Sequence, residues 1–304
     1  MIYTLTLNAS LDYLAFTDSV NPGEIHKINE YELYPGGKGI NVSQVLSSLG
    51  VDNVALGYVA GVTGESLCQL LEEKSIKQDF IKLSHGMTRI NVKMRHEDIE
   101  TDFNAVGPLV DSDEIEQLIK KLLYLNEDDI LIISGSFPKG IGEQEFEKIL
   151  DVIVERKIRL VADVTGDYLH SALKRKPFLV KPNEFEAAKL LGYAIDSVEQ
   201  AGKAATDIAT LGAMNVLISL GEKGAVLRTS RGEVIYMPSL QGEAVNTVGA
   251  GDSMVAGFVA GYSQSEDFEH ALKMAVSAGA ASAFSKGLAT GSEIMRLFNN
   301  GLFR

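Results

Sequence analysis

Asn246-Thr247-Val248-Gly249-Ala250-Gly251-Asp252-Ser253 leads straight into an apolar stretch, residues 254–262, with helical spacing. Glycines immediately before a helix permit tight backbone geometry, and the unpaired N–H groups of the first turn form an anion site. A carboxylate at Asp252 would stand at the edge of that site. Its natural work there is to take a proton from a nucleophile approaching the anion. The alternative is an ordinary helix start with an acidic first turn, which the helix dipole favours. The stretch alone leaves both open. A dinucleotide fingerprint is excluded, because it needs a third glycine where Met254 stands. A Walker A loop is excluded too: Gly37-Lys38 is followed by Gly39, and Glu32 occupies the place of the first glycine.

Outward from this block, short β-rich runs alternate with helical ones. Residues 1–8, 53–60, 129–135, 159–164, 178–181 and 215–220 read as strands, and 225–229 with 234–237 as a hairpin. Residues 39–49, 63–74, 112–124, 143–156, 184–191, 198–211 and most of the last 50 read as helices. Gly50 is placed to end one of these and Thr63 to cap another. This repetition predicts an α/β fold with a largely parallel sheet covered on both faces. Residues 25–34 and 89–103 are strand-like without an intervening helix, the second reading as a hairpin that turns near 96–98. They predict a small second sheet over the carboxyl ends of the main strands, where ligands of such folds bind. Without repeats, low-complexity runs or linkers, one domain carrying a lid is expected.

A chain of 304 residues, 45% hydrophobic, is too apolar for disorder and long enough to bury a large core. With 28 basic against 41 acidic residues, the formal charge of −13 argues against nucleic-acid or anionic-membrane partners. Phosphorylated small molecules remain possible, held by local cations and backbone N–H groups. No apolar run approaches the roughly 20 residues that span a bilayer, and the first residues lack the basic start of a signal peptide. The single cysteine, Cys68, cannot form an internal disulfide. A soluble, cytoplasmic protein is expected.

Other segments carry candidate chemistry. Pro35-Gly36-Gly37-Lys38-Gly39-Ile40-Asn41-Val42 brings glycines, an ammonium and an amide to a helix start, which suits a polyhydroxylated or anionic ligand; a tight turn is the alternative. Asp12, after the first strand, reads as a loop residue facing the crevice, either binding sugar hydroxyls or doing nothing special. In Lys181-Pro182-Asn183-Glu184-Phe185-Glu186, Asn183 and Glu186 form either a helix capping box or, through water, a Mg²⁺ site. Histidines 26, 85, 96, 170 and 270 show no zinc-ligand spacing, and Cys68 lies among leucines as a packed thiol. Gly251-Asp252-Ser253-Met254 is also similar to the Gly-Asp-Ser-Leu block of a serine esterase family, with Asp267-Phe268-Glu269-His270 as an Asp-x-x-His. Those enzymes carry the two blocks near opposite ends of the chain, whereas 13 residues separate Ser253 from Asp267 here.

Residues 36–41 together with 249–252 resemble, in order and separation, the two hallmark stretches of the ribokinase-like (PfkB) carbohydrate kinases. The likeness covers essentially the whole chain. It is greatest to the branch acting on fructose 1-phosphate, in residues 1–8, 34–43, Thr88-Arg89-Ile90-Asn91-Val92-Lys93, 176–186 and 246–261; tagatose-6-phosphate kinases are the nearest alternative. The resemblance implies a ribokinase-like three-layer α/β/α sandwich with a mostly parallel central sheet. It also implies a small β-sheet lid built from about 9–35 and 88–106, closing on a partner's lid in a homodimer. The implied substrates are ATP with Mg²⁺ and D-fructose 1-phosphate, phosphorylated at its 6-hydroxyl. By motif, Asp252 is the base, and Gly249, Ala250 and Gly251 supply the anion hole. Asp12, Gly37, Lys38, Gly39, Asn41, Arg89 and Asn91 fall at sugar-phosphate positions, with Lys38 and Arg89 on the C1 phosphate. Lys181, Asn183, Ser219, Gly221, Glu222 and Gly224 fall at nucleotide positions, Ser277 and Gly279 beside the adenine, and Glu186 with Asn183 at the metal. Ala9 replaces a usual proline, and Ala105-Val106-Gly107-Pro108 replaces a more usual Gly-Gln-Gly-Pro.

Overall fold

The structure, a computed structural model, describes residues 1–21, 23–96 and 99–304. The chain opens with β1 (Ile2–Thr6), β2 (Ser10–Thr17), β3 (Ile28–Gly36) and α1 (Lys38–Ser48). There follow β4 (Asn53–Val59), α2 (Gly61–Glu73), β5 (Ile81–Lys82), β6 (Arg89–His96) and β7 (Ile99–Asn104). Next come α3 (Ser112–Leu122), β8 (Ile130–Ser134), α4 (Glu143–Glu155), β9 (Arg159–Asp163), α5 (Asp167–Leu173) and β10 (Leu179–Val180). Then α6 (Glu184–Leu191), α7 (Val198–Thr210), β11 (Asn215–Ser219), β12 (Ala225–Arg228) and β13 (Val234–Met237). The chain closes with α8 (Ala250–Ser265), α9 (Phe268–Ala283) and α10 (Gly291–Asn300).

Nine strands form the main sheet in the order β13-β12-β11-β10-β9-β8-β1-β4-β5. Pairings from β5 to β11 are parallel, and only the β11–β12–β13 edge is antiparallel. Strand pleating divides its side chains between two cores. Leu131 and Ile133 of β8 join Leu118, Phe146, Leu169 and Ile208 under α3, α4, α5 and α7. Ile130 and Ile132 join Val45, Phe258, Leu272 and Ile294 under α1, α8, α9 and α10. Because both faces are covered, the central strands read as nearly continuous apolar runs, and the three-layer expectation holds.

The four remaining strands form a separate sheet, β3-β2-β6-β7, in which β2 and β6 run parallel. It joins the main sheet at the carboxyl end of β1, where Asn8 Nδ2 also donates to Ser136 Oγ beyond β8 at 3.2 Å. The segment Ala105-Val106-Gly107-Pro108 docks here: Val106 O accepts from Asn8 Nδ2 at 3.1 Å.

Two local expectations change, two short elements are added and one expected turn is not described. Asp12 lies on strand β2, not in a βα loop, because the chain after β1 enters a second strand with its own alternating pattern. Thr63 is not a cap: α2 starts at Gly61, and the Thr63 hydroxyl donates to Thr88 O at 2.7 Å, tying the helix to the approach of β6. The two-residue strand β5 and the seven-residue helix α5 are too short for periodicity to show. The expected turn near 96–98 lies largely outside the described residues.

Candidate active site

The apolar α8 is covered on nearly every side, so its uncapped N-terminus is carried to the carboxyl end of the main sheet. Gly249 precedes it with φ 79°, a left-handed turn, and a Cβ there would stand 2.6 Å from Leu288 Cδ2. The Ala250 N–H donates to Thr247 O at 3.2 Å. Of the three residues expected to bind an anion through N–H groups, Gly251 is therefore better placed than Ala250. Asp252, on this first turn, is 6% exposed, and its Oδ2 accepts from Asn41 Nδ2 of α1 at 2.8 Å. Burial, and after it the negative charge of Asp163, push the Asp252 carboxyl up to about 6; Lys38, Asn41 and Lys181 oppose this without cancelling it.

Lys38 opens α1 and meets Asp163 Oδ2 at 3.2 Å. Burial alone would lower its pKa, but Asp163, then Asp252 and Glu186, outweigh burial and push it up to about 12. Lys181 pairs with Asp163 Oδ1 at 3.3 Å. Despite its burial, Asp163 is held below the usual carboxylate range by these two ammoniums.

On the small sheet, Asp12 and Asn91 are register partners. Asp12 Oδ1 accepts from Ser10 Oγ at 2.7 Å and Asn91 Nδ2 at 2.9 Å, while the buried Asn91 Oδ1 has no protein partner. That leaves one acceptor beside a carboxylate, an arrangement for hydroxyl groups. Gly36 permits it, since a Cβ there would lie 2.5 Å from Asp12 Cγ. Arg89 lies at the root of this sheet. Its Nε and Nη2 donate to Asn8 O at 3.2 and 3.0 Å, and its Nη1 to Ala105 O at 3.2 Å. Three of its five N–H groups are thus engaged on backbone carbonyls, and two remain for a ligand.

A cavity of about 710 Å³ opens beside the α8 N-terminus. The expected nucleotide residues Asn183, Ser219, Gly221, Glu222, Gly224 and Gly279 line it. Two others do not. Lys181 is 4% exposed and sits with Asp163 below Gly251. Ser277 is fully buried with an unpartnered hydroxyl, because two helical residues are about 200° apart and Gly279 already takes the cavity side of α9. Asn183 and Glu186 form the capping box: Asn183 Oδ1 accepts from Glu186 N at 2.8 Å and Glu186 Oε2 from Asn183 N at 2.9 Å. No cluster of three or more His, Cys, Asp or Glu fit to hold a metal occurs among the described residues.

The sequence reading passed over Asp163, although a carboxylate at the carboxyl end of a buried parallel strand was a usable signal. It also passed over cavity-lining Phe185, Met254 and Phe284, whose apolar character marks them only as core. The esterase reading fails. Ser253 is fully buried, its hydroxyl donating to Gly249 O at 2.9 Å and paired with Ser282 Oγ at 2.8 Å. Asp267 caps α9 beyond the other end of α8, whose run from Ser253 to Ser265 rises about 18 Å at 1.5 Å per residue.

A buried carboxylate on a helix N-terminus, two ammoniums and an adjoining cavity suit phosphoryl transfer to a hydroxyl, on the ribokinase-like fold. The chain belongs to the pfkB family of carbohydrate kinases, whose family model matches residues 6–295. It is 39% identical over 298 residues to the 1-phosphofructokinase of Bacillus subtilis (strain 168), covering 98% of this chain and 97% of that protein. Against the D-tagatose-1-phosphate kinase of Bacillus licheniformis it is 34% identical over 300 residues, covering 97% and 96%. Phosphofructokinase-2 from Escherichia coli, solved in complex with fructose-6-phosphate, superposes with a TM-score of 0.92 at 29% identity over 98% of both chains. No helix among the described residues is long and apolar enough to cross a membrane.

Proposed function

We propose that this kinase transfers the γ-phosphoryl group of ATP to the 6-hydroxyl of D-fructose 1-phosphate in the cytoplasm, giving ADP and D-fructose 1,6-bisphosphate. The observation that carries the reading is Asp252, a buried carboxylate raised to about 6 on the first turn of α8, held by Asn41 between the sugar side and the nucleotide cavity. Asp252 accepts the hydroxyl proton as the oxygen attacks. Charge growing on the transferring group is met by the Gly251 N–H, Lys181 and Lys38, the last reassigned from the C1 phosphate because it pairs with Asp163 and faces Asp252. Asp12 and Asn91 bind sugar hydroxyls, and Arg89 offers its two free N–H groups to the C1 phosphate. The small sheet acts as a lid of a single kinase domain, excluding water that would compete as acceptor.

The relative acting on D-tagatose 1-phosphate supports a second sugar, which differs from fructose 1-phosphate only in configuration at C4. Coupled ADP release should therefore be compared for fructose 1-phosphate, tagatose 1-phosphate, fructose 6-phosphate and tagatose 6-phosphate. The highest kcat/KM is expected for fructose 1-phosphate; another sugar in first place replaces it as substrate.

The donor set fits Mg²⁺, which keeps several waters, binds substrate phosphates and needs only one or two protein carboxylates. Glu186 and Asn183 would hold it through water, Glu186 by the oxygen its capping bond leaves free. When bound, the ion would neutralise charge on the nucleotide phosphates. Glu186→Gln should preserve the helix, since Gln also completes a capping box, while raising the Mg²⁺ concentration for half-maximal rate several-fold. An unchanged Mg²⁺ titration would leave Glu186 with the cap alone.

The homodimer is proposed through the outer face of the small sheet, where Tyr31, Leu33, Ile90 and Phe103 are exposed. Light scattering should give twice the 32.8 kDa chain mass; a monomer mass would remove this interface.

A further inference from the structure

We propose that Asp163 is a positioning residue of the transfer site, holding Lys38 and Lys181 on one carboxylate beside the α8 N-terminus so that both ammoniums meet the transferring phosphoryl group without rearranging. The inference rests on the reading of Asp252 as the base. Asp163 ends β9 as the register partner of Ser134, two residues beyond Val161, so the pleat turns it toward the same face, that of α1 and α8. It is 3% exposed, and a carboxylate so buried stays ionised only when paired. Each oxygen takes a different lysine, at 3.2 and 3.3 Å. The neighbouring Ser134 hydroxyl has no partner and so does not compete.

The lysines come from separate elements, one opening α1 and one following β10. Two ammoniums this close repel unless an anion lies between them. A Cβ on Gly251 would stand only 3.3 Å from Lys181 Nζ, which puts this ammonium under the anion-binding turn. Such fixed charges, placed before substrate arrives, lower the reorganisation needed during transfer. The charges facing Asp252 are Asp163 from β9, Lys38 from α1 and Lys181 after β10, with Asn41 as its hydrogen-bond donor. Glu186 of α6 acts on Lys38. The charged residues of α9, Glu269, His270 and Lys273, lie on its first two turns, where α9 packs against the far end of α8.

The test is the pH profile of kcat/KM for fructose 1-phosphate at saturating ATP. Asp163→Asn should lower kcat by up to about 10²-fold through misplaced lysines. It should also move the acid limb down by roughly one unit from its place near pH 6, because Asp252 loses the like charge of Asp163 while still facing Lys38 and Lys181. A limb that does not move overturns the proposal whatever happens to kcat, since general damage slows the enzyme without shifting it. Asp163→Glu retains the charge on a longer arm; it should keep the limb near pH 6 and still lose rate, and a wild-type kcat there also overturns the proposal. Asp252→Asn separates the two layers. If it keeps wild-type kcat, the base reading falls and takes this inference with it. If it is inactive while Asp163→Asn leaves the limb in place, only the role of Asp163 is lost.

Discussion

Asp252→Asn should lower kcat by at least roughly 10²-fold, the usual scale for a positioned base, with much smaller changes in the binding of either substrate. Asparagine retains the shape and can still pair with Asn41, so the loss reports proton transfer. Wild-type kcat/KM should fall on the acid side with a midpoint near 6, and the variant's residual activity should lack that limb. The same substitution should raise thermal stability at neutral pH. The folded carboxyl is raised from 3.8 to about 6, so its favourable contribution is complete below 3.8 and is lost as pH rises through 6. At pH 7 to 8 the charge is a burden on the order of 1–3 kcal/mol, which asparagine removes. A variant within threefold of wild-type kcat, with chemistry limiting turnover, would reject Asp252 as the base.

Arg89→Ala should reduce kcat/KM for fructose 1-phosphate by roughly 10- to 150-fold, the equivalent of about 1.5–3 kcal/mol for a charged hydrogen bond. The KM for ATP should barely move, because Arg89 does not line the cavity proposed for the nucleotide. Arg89 has a second task, since it also braces the carbonyls of Asn8 and Ala105. Losing those bonds should lower the melting temperature as well. Fructose, which lacks the phosphate, separates the two tasks: it should be a poor substrate for wild type and lose little further in the variant. Equal proportional losses for both sugars would make Arg89 purely a brace.

Much of the fold was legible because its signals are local. The alternation of apolar periods needs windows of about ten residues, and it placed most strands and helices of the main sheet. The block at 249–252 announced an uncapped helix start, and Asn183 with Glu186 announced a capping box, both written within four residues. The likeness in residues 36–41 and 249–252 added the roles expected of those residues.

What the local pattern could not carry was who meets whom. Asn41 and Asp252 are 211 positions apart, and Lys38 and Asp163 are 125 apart. They touch because β1 lies between β4 and β8, with β9 and β10 beyond, a strand order that the periodicity of any one strand does not encode. The same long-range order put Asp12 on a strand opposite Asn91, turned Ser277 away from the cavity and set Asp163 between two lysines. The amino-acid sequence by itself determined the α/β layers and the helix that carries Asp252. Only the tertiary structure decided which charges surround that carboxylate, because hydrogen bonds along a segment are local whereas the field at a buried carboxylate sums over every element packed against it.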